Sequence, residues 1–224
     1  MDRNSIINKT TEFVKATLKN AEGGHDWFHI ERVLNNAKLI AKGEHVDDFV
    51  VILGALLHDI ADSKFQEGDE TVGPKKAAGF LLSLNVDSAI IEHVIKIIEN
   101  ISFKSSLNEE NDSKKEKRFT SKELEIIQDA DRLDAIGAIG IARCFNYGGF
   151  KNREIYNPEI APKLNMSKEE YKNSTAPSIN HFYEKLLLLK DKMYTKTGKR
   201  LAVDRNAFME HYLKQFYAEW NGKK

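Results

Sequence analysis

One cysteine, Cys144, is all the chain has, so no intrachain disulfide can form and a disulfide-stapled secreted scaffold is excluded. It lies in an apolar stretch, Ile141 to Phe145, and reads as a small buried residue in a protein of the reducing cytoplasm. Prolines number only four in 224 residues, which leaves long segments free to be helical. Neither sign of charge is in excess: 34 Lys and Arg balance 34 Asp and Glu, so no global field draws in bulk nucleic acid or an anionic membrane. Long apolar runs are missing too. The longest, Phe49 to Leu57 with Gly54 inside it, is too short to span a bilayer, and the N-terminus lacks the apolar core of a signal peptide. Alternating β-branched runs of the strand type are absent.

What is there is 3.6-residue periodicity, with 41% hydrophobic and 30% charged residues, and it predicts an all-α protein. Helices are expected over 5–18, 26–42, 47–59, 75–84 and 88–99, the last capped by Asp87. The second carries Ile30, Val33, Leu34, Ala37, Ile40 and Ala41 on one face, and the third is apolar on nearly every side, as a central helix must be. Residues 104–118 read as a solvated loop. Thr120 and Glu123 have capping-box spacing, so a helix should start there and deliver Asp131 and Asp134; it should continue through Ala135 to Phe145 and stop at Gly148-Gly149. Further helices are expected from Ser167, where Glu170 completes a second capping box, from Ser178, and from Val203 to Trp220. No repeat or linker is visible, and the reading is one domain over 1–224, with a core at about 20–150 and a helical extension at about 165–222.

Three separated stretches combine metal-ligand side chains with apolar flanks: His25-Asp26-Trp27-Phe28-His29, Leu56-Leu57-His58-Asp59, and Gln128-Asp129-Ala130-Asp131-Arg132-Leu133-Asp134. Two carboxylates at the end of a strongly apolar helix cost several kcal/mol to bury unless a cation compensates, so the context asks for a partner. His58 and Asp59 point about 100° apart on a helix, and both can reach one ion only where the helix ends.

The order and flanks of these stretches resemble the HD superfamily of metal-dependent phosphohydrolases, and within it the stand-alone bacterial-type hydrolases. The likeness runs from about Gly24 to Gly149, with a weaker echo through His181 to Leu186. It implies an HD-type helical bundle with a C-terminal helical extension, in which His29, His58, Asp59 and Asp131 hold a divalent metal. Mn²⁺, Fe²⁺, Co²⁺, Ni²⁺ and Zn²⁺ suit such a mixed nitrogen and oxygen set, and Mg²⁺ does so if substrate phosphate adds oxygens. The implied reaction is hydrolysis of a phosphoester or phosphoanhydride of a small phosphorylated substrate, such as a nucleotide, by water that the metal activates.

Roles for the neighbours follow from chemistry, each beside a plainer alternative. His25 suits a proton donor to the leaving oxygen, or merely a residue at the start of the second helix. Asp131 can orient water as well as ligate. Asp134, one turn further, either supports the site or pairs with Arg132 or Arg143 in a structural network. Arg32, Lys64 and Arg132 are candidates for phosphate, Asp62 for substrate, and Asp62 and Lys64 equally for a surface ion pair. Asn100 and Ser102 follow the fifth helix, where they border the pocket in the resembled hydrolases or cap the helix. His45, His93, His181 and His211 have no partner motif, though the helix of His93 would be the source of an extra ligand in a two-metal site. The C-terminal aromatics Phe208, Tyr212, Phe216, Tyr217 and Trp220 read as core or as a contact in a homodimer. Two rivals stand beside the hydrolase: a di-iron HD oxygenase, and a regulatory or binding module without turnover.

Overall fold

The structure is a computed structural model, and it describes residues 1–19, 21, 24–60, 69, 71–101 and 119–224. Among these residues there is no strand, and the all-α expectation holds. The chain falls into two compact units, Met1–Ala130 and Asp131–Lys224, with the boundary inside one continuous helix. No helix among the described residues is long and apolar enough to cross a membrane.

The first unit contains α1 (Arg3–Thr17), α2 (Trp27–Ala41), α3 (Asp48–Leu57), α4 (Val72–Ser83), α5 (Ser88–Asn100) and the greater part of α6 (Lys122–Asp134). Aspartates start four of these helices. Asp2, Asp26, Asp47 and Asp87 each accept a backbone N–H of the first turn, satisfying a donor that the helix itself leaves unpaired. The apolar α3 is the centre, packed by α1, α2 and α5, with Leu53, Ala55, Leu56 and Leu57 wholly removed from solvent. Gly54 lets α6 come close: a Cβ there would sit 2.6 Å from the Cδ1 of Ile127. Two polar ties reinforce the packing of α6, from Asn36 Nδ2 to the Ala130 carbonyl (3.3 Å) and from Gln128 Nε2 to the Asn100 carbonyl (3.0 Å).

The second unit contains the end of α6, then α7 (Gly137–Phe150), α8 (Lys168–Asn173), α9 (Asn180–Glu184), a 3₁₀ helix (Leu186–Lys192) and α10 (Lys196–Trp220). α10 packs on α7 and on the 3₁₀ helix, and its Tyr212, Phe216, Tyr217 and Trp220 are linked by ring contacts with one another or with Tyr156, whose ring lies 4.9 Å from that of Trp220, while Phe208 is exposed.

Several predicted boundaries move, each for a local reason. α6 is capped by Ser121, whose Oγ accepts the Leu124 N–H, and Glu123 turns away from the expected box to accept the Asp47 N–H. The helix does not run on through residue 135, because Gly137 takes φ +74° and Ile136 is extended, so α7 starts afresh. α7 passes Gly148 and Gly149 and ends at Phe150. α10 begins seven residues before the predicted Val203, where Thr195 Oγ1 accepts the Gly198 N–H. The box of Ser167 and Glu170 forms as read.

Candidate metal centre

His29 lies in the first turn of α2, held by the Asp26 cap 3.0 Å from its backbone N–H. That cap aligns the imidazole with the buried face that Val33 continues one turn on. His58 is the C-cap of α3, at the point where the apolar helix stops. Asp131 is carried by α6, one residue after Ala130.

One ligand atom from each of these three residues lies within 4.8 Å of the others, with both histidines buried and Asp131 half-buried. Two metal bonds of about 2.0–2.2 Å laid end to end span nearly that distance. The state of His58 sharpens the fit. Its Nδ1 lies 2.9 Å from the Ala55 carbonyl oxygen and can meet it only as an N–H donor, so the lone pair belongs to Nε2. That Nε2 is buried with no hydrogen-bond partner. An imidazole fixed through one nitrogen, with the other bare beside a second imidazole and a carboxylate, is arranged as a metal ligand is.

Asp59 lies outside this group of three. Its Oδ2 is 2.7 Å from His25 Nδ1, and both side chains keep roughly a quarter of their surface exposed. Burial by itself would push the Asp59 carboxyl up; the hydrogen bond from His25, together with the electrostatic influence of the neighbouring His58, His25 and His29 imidazoles, outweighs it and holds the group at about 2. Asp59 is thus an ionised carboxylate, with His25 fastened to it and not capping α2.

The remaining predicted residues are placed as follows. Asp134 is almost wholly buried and forms an ion pair with Arg143, whose guanidinium also reaches the Asp134 carbonyl (3.2 Å), so of the two pairings considered it takes Arg143. Arg132 turns within the second unit, donating to the Lys192 carbonyl (2.9 Å) and stacking 4.9 Å from the Tyr194 ring. Arg32 is half-buried on α2, three residues after His29. Asn100 ends α5, its Nδ2 on the Lys96 carbonyl (2.8 Å). Asp62, Lys64 and Ser102 lie outside the described residues. His93 bonds Ser121 Oγ (3.0 Å) and approaches Glu123 (3.5 Å). Those partners sit at the start of α6, ten residues or about 15 Å before Asp131, so His93 is no part of the cluster.

The HD domain family matches residues 27–136, the span that carries all three clustered side chains. YpgQ of Bacillus subtilis (strain 168) is 34% identical over 203 residues, covering 91% of this chain and 88% of that protein. The chain belongs to the HD superfamily. A crystal structure of an HD-superfamily hydrolase from Bacillus thuringiensis is similar at TM-score 0.76 and 40% identity, covering 98% of this chain and 99% of that one. The structure of Bacillus subtilis YpgQ in complex with ADP is similar at TM-score 0.75 and 31% identity, over 98% and 97% of the two chains. HD domains bind divalent metals, and His29, His58 and Asp131 form a cluster in this chain that could hold one. The Ala55 carbonyl that orients His58 had no signal in the sequence, since any residue supplies a carbonyl there.

Proposed function

We propose that this HD protein is a metal-dependent phosphohydrolase acting on a small phosphorylated substrate of the nucleotide kind. The observation that carries the reading is the buried, unpartnered Nε2 of His58 beside His29 and Asp131. His29, His58 and Asp131 would hold a divalent cation, with Asp59 as the fourth ligand. Such a cation supplies Lewis acidity for the attack of water on phosphorus.

The chain's own groups do the rest. Asp131, half-buried, faces both the ligand set and solvent and orients the attacking water. His25 holds the Asp59 carboxylate through Nδ1, and as an imidazolium it would hand a proton to the leaving oxygen. Arg32 meets phosphate charge, and Asn100 at the end of α5 borders the substrate. Asp62, Lys64 and Ser102 remain substrate-binding candidates from the sequence alone. The ADP complex of YpgQ, a relative that this chain matches over nearly its whole length, supports a nucleotide as the ligand. The position of His93 favours one ion over two.

The test is release of phosphate or pyrophosphate from a panel of nucleotides and phosphate esters, with Mn²⁺, Co²⁺, Ni²⁺, Zn²⁺ or Mg²⁺. Turnover that requires metal and is lost in Asp131→Ala is expected. No hydrolysis under any metal, or full activity in Asp131→Ala, would refute the reading and favour a binding module.

A further inference from the structure

The second unit contains a cavity of about 410 Å³ that includes none of the proposed ligands. Three aromatic rings form its wall: Phe145 from α7, and Tyr212 and Phe216 from α10. Their centroids step from Phe145 to Tyr212 by 6.1 Å and from Tyr212 to Phe216 by 6.2 Å, so the wall is continuous and presents ring faces and edges together. Ile155 adds a branched apolar side, and Gly149 leaves a gap where a side chain would stand. An added Cβ at Gly149 meets nothing within 4 Å.

Arg153 is the one charged residue lining the cavity. Its Nη2 donates to the Ser174 carbonyl and its guanidinium lies 5.5 Å from the Tyr147 ring. Among the described residues no carboxylate pairs with it. Two titratable groups that feel its charge are neutral: burial keeps Cys144 protonated, pushed up to about 12, and holds His181 uncharged, pushed down to about 3. A guanidinium has five N–H donors, and a half-buried one with a carbonyl and a ring for company still lacks an anion. Its counterparts Arg143 and Arg3 in this chain each have a carboxylate.

We propose that this cavity is a second binding site, taking a planar aromatic ring that bears one acidic group. The ring lies against Phe145, Tyr212 and Phe216, and its carboxylate or phosphate meets Arg153. An apolar concavity with one convergent charge is how proteins bind such small molecules, and the size suits a fused bicyclic ring. Aryl acids and nucleoside monophosphates share this chemistry. The site is independent of the hydrolase reading, so the two can fail separately.

Isothermal titration of the full chain with 2-naphthoate is the direct test. One saturable site is expected, with the neutral 2-naphthalenemethanol bound about tenfold or more weakly, as fits loss of one charge-assisted hydrogen bond. Gly149→Phe should fill the cavity and abolish binding, and Arg153→Gln, which can keep the bond to Ser174, should weaken naphthoate about tenfold without affecting the alcohol. Displacement of naphthoate by AMP would support a nucleotide as occupant, and binding without displacement an aryl acid. Absence of saturable binding overturns the proposal. So does wild-type affinity in Arg153→Gln, which decides the matter by itself should Gly149→Phe not fold.

Discussion

His25 Nδ1 and Asp59 Oδ2 lie 2.7 Å apart, joining the second residue before α2 to the second residue after α3. In this arrangement His25 fixes the carboxylate proposed as the fourth ligand. Groups that orient ligands are worth about 10–100-fold in metal affinity. His25→Ala is therefore expected to weaken Mn²⁺ or Co²⁺ binding by that range with an unchanged melting temperature, as read by metal titration with an indicator dye. Unaltered affinity would release Asp59 from this role.

Asp134 is tied to Arg143 with almost no exposed surface. Removing one partner of a buried pair strands the other charge and costs about 3–5 kcal/mol. Asp134→Ala should lose stability on that scale in urea unfolding, yet still bind one divalent ion when folded. A variant that is fully stable but inactive would instead put Asp134 in the chemistry.

Gly54, one turn before His58, lies against Ile127 of α6. A larger side chain must displace Ile127, which is wholly buried and has little space to retreat. Gly54→Val is expected to lower stability by about 1–3 kcal/mol through overpacking. Thermal melts measure it, and a neutral result would show that α6 can shift without cost.

The imidazole of His181 is held uncharged by burial, with Lys185 and Arg153 adding repulsion, so its folded value falls from 6.5 to about 3. A base whose folded pKa is depressed contributes stability that is whole above its unfolded value and declines as pH drops toward its folded one. Stability should fall between pH 6.5 and pH 3 by up to about 1.4 kcal/mol per pH unit from this group. Comparing urea midpoints at pH 7 and pH 5 checks it, because His181→Phe should flatten the difference. Equal slopes in the two proteins would contradict the assignment.

Much of this was readable beforehand because it rests on short-range rules. Periodic apolar positions gave α2 and α3, and the caps Asp26 and Asp87 announced helix starts by their own side-chain chemistry. The residues His29, His58 and Asp131 could be grouped from their flanks, and the structure brings these three together. What escaped depends on tertiary contacts. Glu123 leaves its expected box because the Asp47 N–H competes for it across 76 residues of chain. The break before α7 hangs on a left-handed Gly137 packed under Arg205, a long-range arrangement with no local signature. Whether Asp134 chose Arg132 or Arg143 likewise depended on which guanidinium the fold brought near.

Metal content by elemental analysis, compared between the wild-type chain and His58→Ala after loading with Mn²⁺ or Co²⁺ and exhaustive dialysis, tests the central claim most directly. The expected result is about one tightly held ion per wild-type chain and essentially none in a variant whose helical circular dichroism is unchanged. An equal ion content in both proteins, or a wild-type chain that retains no metal at all, would contradict it.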